Sequence, residues 1–209
     1  MSCHDDPKCI YSRCIRQTIN KIYKQEGWKE KYKVWYGDSQ DIHGDYSILL
    51  LRSKFCLALP GDGWSARFED AVLHGCIPVI IMDNTQVPFE SILDLQSFAV
   101  RILQKDIPRI VDIITAIPES KAEEMRANVH KVWHRFRYMG LNMIDLQVKT
   151  SIEENVMKAG GIQRNHSGME FANTRVDDAF STIMQWLHWR IPFTRGEPRP
   201  GEKLFIPKL

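Results

Sequence analysis

Apolar positions along the chain change period several times, and the changes mark out a succession of elements. In "YSRCIRQTINKIYKQE" (11–26), Ile15, Ile19 and Ile22 recur at helical spacing, and Gly27 ends the run. "KYKVWYG" (31–37) alternates and predicts a strand. Asp45 stands where it would cap a short helix running through Leu51. "KFCLALP" (54–60) reads as a buried strand ended by Pro60, and residues 64–74 as a helix stopped by Gly75. "IPVIIM" (77–82) predicts a second, fully apolar strand and "SFAVRI" (97–102) a third. Helices follow over 105–117 and 119–138, the second with Met125, Val129, Val132, Trp133 and Phe136 at helical intervals. Beyond about 139 the pattern fades into a Gly- and Asn-rich loop. It returns as an amphipathic helix over 177–191, opened by Asp177 or Asp178, and ends in a Pro/Gly-rich tail expected to be poorly ordered.

Strands that alternate with helices, and strands apolar on both faces, predict a parallel sheet covered on each side, a Rossmann-like α/β layer. The boundary falls near 140: residues 1–140 form the layer, and 141–209 a loop, an amphipathic helix and a flexible tail. Composition agrees with a globular chain. Of 209 residues 44% are hydrophobic and 26% charged, values that remove disordered and fibrous classes. A net charge of +2 gives no polyanion signature, so nucleic acid is not an expected partner. No apolar run approaches the eighteen or so residues of a membrane span, and "MSCHDDPKCIYSRC" lacks the apolar core of a signal peptide.

Five cysteines are an odd number. Cys56 and Cys76 sit in apolar segments and are expected as buried free thiols. Cys3, Cys9 and Cys14 are spaced by six and five, not as a CxxC knuckle, so a disulfide in an oxidising lumen or free thiols are expected rather than a metal.

Candidate chemistry concentrates in "LPGDGWSARFEDAVLHGCIPVII" (59–81). Strand, helix and strand here form one right-handed βαβ unit, and ligands of such sheets bind beyond the carboxyl ends of the strands. Gly61 and Gly63 let the backbone come close to a ligand, and the helix behind them suits a diphosphate. Arg67, Asp70 and His74 recur on one helical face. Arg67 at a helix start calls for an external anion, while Asp70 one turn later can accept from ribose hydroxyls. The same spacing also fits a solvated i,i+3 pair behind an ordinary turn, and the pattern alone leaves both open. Neither GxGxxG nor GxxxxGK[ST] is present, so a generic nucleotide-binding Rossmann protein is a weaker reading.

"SKFCLALPGDGWSARFEDAVLHGCIPVIIMDNTQVPFESILDLQSFAVRI" closely resembles the C-terminal half of exostosin-like glycosyltransferases. The pattern appears as Phe55-Cys56-Leu57, Gly61 to Gly63, Ser65-Ala66-Arg67, Asp70-Ala71, Gly75 to Ile80, Asp83 and Pro88-Phe89-Glu90. "YSRCIRQ" and "WHRFRY" look like its outer edges, so the resemblance covers roughly 11–140. It implies a GT-B fold whose C-terminal domain holds a UDP-sugar, with inverting transfer to a polysaccharide or glycoprotein glycan and no obligatory metal or other cofactor. Arg67 would then bind the diphosphate, Asp70 the ribose, and Ser65 with Gly61 and Gly63 the phosphate oxygens. Many members carry Glu where this chain has Asp70. His74, Asp83 and Glu90 are near-site candidates, and no catalytic base stands out. The resemblance places the family in the Golgi, held to the membrane by an N-terminal anchor, and leaves oligomerisation open. The chain reads as lacking that anchor, the stem and the acceptor domain, which makes a non-catalytic sugar-nucleotide-binding or interaction module the alternative.

Overall fold

The computed structural model describes residues 11–61, 65–138 and 178–195. The first compact unit runs to Val132 and the second begins at Trp133. In the first, β1 (Phe55–Ala58), β2 (Ile77–Ile80) and β3 (Val100–Arg101) form a parallel sheet in the order β1-β2-β3. Phe55 pairs with Ile77 and Ala58 with Ile80, while Val79 pairs with Val100. All four residues of β2 are buried, which is what a strand covered on both faces requires. The expected Rossmann-like α/β layer is therefore present.

Side-chain alternation assigns the two faces. Leu59, Val79, Ile81 and Ile102 join Ile15 and Ile19 of α1 (Ile15–Glu26), Trp28 of α2 (Trp28–Tyr32), and Ile110 and Val111 of α5 (Ile110–Thr115) in the main core. Ile77 packs with Ala122 and Met125 of α6 (Glu119–Val132). On the other face Cys56 and Cys76 meet Leu50 of α3 (Tyr46–Arg52) and Ala71 of α4 (Arg67–Leu73). Phe68, Ala71 and Val72 of α4 are fully buried, as their spacing predicts.

Several boundaries depart from expectation for local reasons. Residues 11–14 do not start the helix: Ser12, Arg13 and Cys14 have φ of 55°, 50° and 61°, and α1 begins at Ile15. Gly27 does end it, in the left-handed conformation at φ 63°. The strand expected over 31–37 is absent. Trp28, 1% exposed, starts a second short helix instead, which ends with Lys33 at φ 56° and Val34 N–H donating back to the Trp28 carbonyl. The alternation was real, since Val34 and Tyr36 turn inward onto the core while Trp35 is exposed, but no strand pairs with this segment. Asp45 caps α3 by accepting from Ile48 N–H at 3.0 Å. The helix expected from 105 opens as a 3-10 segment, Gln104–Arg109, containing Pro108.

In the second unit a 3-10 turn, Trp133–Phe136, precedes α7 (Ala179–Thr194). Asp178 caps α7 through Ser181 N–H at 2.8 Å, and Arg135 donates to Gln185 at 3.1 Å. The loop expected after 139, Asp177 and the tail after 195 lie outside the described residues.

The cysteines are a clear correction. Cys56 and Cys76 are not free thiols but a disulfide, with Cα atoms 5.9 Å apart. Cys76 lies just before β2, on the same side of the sheet as Cys56, so parallel pairing of two neighbouring strands brings the two together. Cys14 is disulfide-bonded as well, whereas Cys3 and Cys9 lie outside the described residues. The Cys56–Cys76 bridge closes a loop of sequence separation 20 that contains the whole of α4. Removing it as Cys56→Ala/Cys76→Ala is expected to lower unfolding stability by about 3 kcal/mol, measured by urea titration against the wild-type chain.

Candidate functional site

The βαβ unit decides where each candidate side chain stands. β1 ends at Ala58, the chain passes Leu59, Pro60 and Gly61, and α4 then runs back antiparallel to the strands. Arg67, its first residue, therefore lies at the carboxyl edge of the sheet. His74, its C-terminal flanking residue, lies at the amino edge, about 10 Å away along the axis at 1.5 Å per residue. Of the three near-site candidates, His74 therefore stands at the sheet edge opposite Arg67, away from the loop after β2 that carries Asp83 and Glu90. Its ring Nδ1 is 2.7 Å from the Asp70 carbonyl oxygen, a contact that finishes the helix.

Arg67 and Asp70 do not form the i,i+3 ion pair their spacing allows. Both meet Tyr46, the first residue of α3, instead. The Arg67 guanidinium carbon lies 4.7 Å from the Tyr46 ring centre, and the Tyr46 hydroxyl donates to Asp70 Oδ2 at 2.8 Å. Among the described residues no carboxylate reaches Arg67 within ion-pair distance. Burial, and then the bond to Asp70, push the Tyr46 hydroxyl up to about 12, so it stays a protonated donor at neutral pH.

Ser65 is 7% exposed, and its carbonyl accepts from Phe68 N–H at 3.3 Å. Ala66, before α4, offers no side-chain cap to the helix. Gly61 adopts an ordinary backbone conformation. A methyl group there would touch the Tyr11 ring at 3.9 Å, so the glycine is not demanded by strain. Gly63 lies outside the described residues.

Asp83 and Glu90 have internal partners. Asp83 Oδ1 accepts from Gln104 N–H at 3.0 Å. Glu90 accepts from Arg101 through both oxygens at 2.7 Å and from Val87 N–H at 2.9 Å. This pair is only partly exposed, 32% and 19%, and pins the loop after β2 to β3. Among the described residues no group of His, Cys, Asp and Glu is arranged to hold a metal ion.

Two residues that sequence reasoning passed over complete the edge. Arg16 donates to the Leu59 carbonyl at 3.2 Å and to the Pro60 carbonyl at 3.1 Å, and Arg13 to the Asp83 carbonyl at 2.8 Å. The left-handed turn at 12–14 brings both arginines to the carboxyl ends of β1 and β2. Their signal was the paired arginines of "YSRCIRQ", but nothing in their spacing told which strand ends they would meet. Tyr46 left even less trace, since only the packing of α3 against α4 brings it to Asp70.

Arg67, exposed, and Asp70, which accepts from the Tyr46 hydroxyl, thus stand on the crossover helix of a parallel βαβ unit in a Rossmann-like layer. Residues 2–117 match the family model described as the Exostosin GT47 domain, more than half of the chain, and the protein belongs to that family. It is 34% identical over 107 residues to a probable glycosyltransferase of Arabidopsis thaliana, covering 50% of this chain and 23% of that one. It is 41% identical over 109 residues to the probable glucuronosyltransferase GUT1 of Oryza sativa subsp. japonica, 52% of this chain and 24% of the relative. It is 41% identical over 81 residues to the probable beta-1,4-xylosyltransferase IRX10 of Arabidopsis thaliana, 38% and 20% respectively. The aligned part thus spans about a quarter or less of these relatives. Among the described residues no helix is long and apolar enough to cross a membrane.

Glu69 neighbours the cluster, and its carboxyl is raised by burial and then by the Asp70 charge. A carboxyl whose folded value is raised favours the folded state while it is protonated, and that contribution is lost as pH rises through the folded value. Glu69→Gln is therefore expected to melt higher than wild type at pH 7, with the gap closing as pH falls toward 4, as calorimetry would record.

Proposed function

We propose that this chain carries the donor-binding part of an exostosin-type glycosyltransferase, a GT-B half that holds a UDP-sugar for inverting transfer to a glycan acceptor. The observation that carries the reading is Arg67. It stands at the carboxyl edge of the sheet, with no carboxylate partner among the described residues and with Asp70 one turn behind it. A guanidinium there offers planar N–H donors to a diphosphate, and it would stabilise the charge that develops as the nucleotide leaves. Asp70 keeps oxygen lone pairs for ribose hydroxyls beyond the one its Tyr46 bond occupies.

Relatives named as glycosyl-, glucuronosyl- and xylosyltransferases support the reaction class. Disulfides at Cys56–Cys76 and at Cys14 favour an oxidising lumen, which agrees with the Golgi setting expected of the family. An inverting transfer needs a base within hydrogen-bond reach of the acceptor hydroxyl. Asp83 and Glu90 are tied to Gln104 and Arg101, and neither is assigned as that base.

Calorimetric titration with UDP and with inorganic diphosphate tests the reading. Arg67→Ala is expected to lose on the order of 1.5–3 kcal/mol of UDP binding, the worth of a hydrogen bond to a charged group. Asp70→Ala is expected to weaken UDP while leaving inorganic diphosphate nearly unchanged. A wild-type chain that does not bind UDP, or an Arg67→Ala chain that binds it equally well, removes the donor site.

A further inference from the structure

Neither sequence pattern nor family likeness assigns a role to Tyr46, yet it is the side chain that touches both halves of the candidate site. It is 43% exposed, at the start of α3, where most tyrosines serve only to be solvated at the hydroxyl and packed at the ring. Its position is fixed from both sides. The Asp45 cap sets the first turn of α3, and Leu50, one turn on, is buried against Ala71 of α4 and the Cys56–Cys76 bridge. From there the ring lies 4.7 Å from the Arg67 guanidinium carbon, while the hydroxyl bonds Asp70 Oδ2 at 2.8 Å.

Each contact removes a freedom that ligand binding would otherwise have to remove. An unheld arginine loses much rotamer entropy when it closes on an anion, and stacking on an aromatic face settles its plane beforehand. The ring lies 4.7 Å from the guanidinium carbon and holds it without neutralising its charge, so the guanidinium keeps its attraction for an anion. The hydroxyl, a donor, fixes the Asp70 carboxylate and leaves Oδ1 to accept. One tyrosine thereby sets the spacing between an anion-binding group and a hydroxyl-binding group.

We propose that Tyr46 is the positioning residue of this site: it holds Arg67 for the phosphates and Asp70 for the ribose hydroxyls of a nucleoside diphosphate. The inference rests on the donor-site reading given above. Its two contacts are separable by substitution. Tyr46→Phe keeps the ring on Arg67 and deletes the bond to Asp70, whereas Tyr46→Leu deletes both.

The test is titration of the 209-residue chain with UDP and with 2′,3′-dideoxy-UDP, alongside melting temperatures. Tyr46→Phe is expected to weaken UDP about three- to tenfold, the range of one hydrogen bond, and to leave the dideoxy analogue within about twofold. Tyr46→Leu is expected to weaken both nucleotides, because Arg67 loses its support. Melting temperatures should stay close to wild type, since Tyr46 is not a core residue. UDP affinity unchanged in both Tyr46 variants, but lost in Arg67→Ala, overturns the role of Tyr46 and leaves the donor site standing. Equal losses for UDP and the dideoxy analogue in Tyr46→Phe also overturn it. No UDP binding by the wild-type chain, or no loss in Arg67→Ala, overturns both.

Discussion

β2 is buried along its whole length, and most of the first unit follows from that. A strand with no solvent face must have neighbours paired on both edges and helices over both faces. β1 and β3 supply the edges. α1, α5 and α6 close one face, and α3 and α4 the other. Because the strands are parallel, α4 must return the chain from the carboxyl edge of β1 to the amino edge of β2. Its direction is then not free, and neither is the edge at which its first residue stands. The Cys56–Cys76 disulfide locks the same crossover covalently, on the face that α4 covers.

The chemistry at the carboxyl edge grows out of this arrangement by a division of labour among cations. Arg16 and Arg13 spend their donors on backbone carbonyls where β1 and β2 end, and Arg101 spends its own on Glu90 and the loop after β2. These three satisfy carbonyls and a carboxylate that the turn from strand to loop would otherwise leave without partners. Arg67 differs in kind. Its contact is a tyrosine ring, which orients a guanidinium without neutralising it. Three arginines hold the strand ends, whereas Arg67 has no carboxylate within ion-pair distance among the described residues.

The fold was legible wherever one element's own pattern decided its state. The apolar run of β2, the buried triad of α4, the Asp45 cap and the glycine stops at Gly27 and Gly75 all behave as local rules require. Residues 31–37 show where such rules give out. Val34 and Tyr36 do alternate inward, but a strand exists only if another strand accepts its backbone bonds, and that is a fact about the sheet and not about the segment. The disulfide was hidden for a related reason. Two apolar-flanked cysteines 20 residues apart read as core thiols until the register places them on one face.

The arrangement of the candidate site was half legible, and the missing half is the informative one. Spacing on α4 put Arg67 and Asp70 on one face but left open whether they pair with each other or face a ligand, and the structure gives both a contact with Tyr46 on α3. That third residue lies 24 positions from Asp70 in sequence and has no motif of its own. His74 shows the reverse case. It shares the helical face with Arg67 and Asp70, yet a face is a stripe along an axis, and one helix length separates the two edges of the sheet. Periodicity tells which side of a helix a residue occupies. Which end of the sheet it reaches depends on strand direction, and here the parallel pairing of β1 with β2 gives Arg67 to the carboxyl edge and His74 to the amino edge.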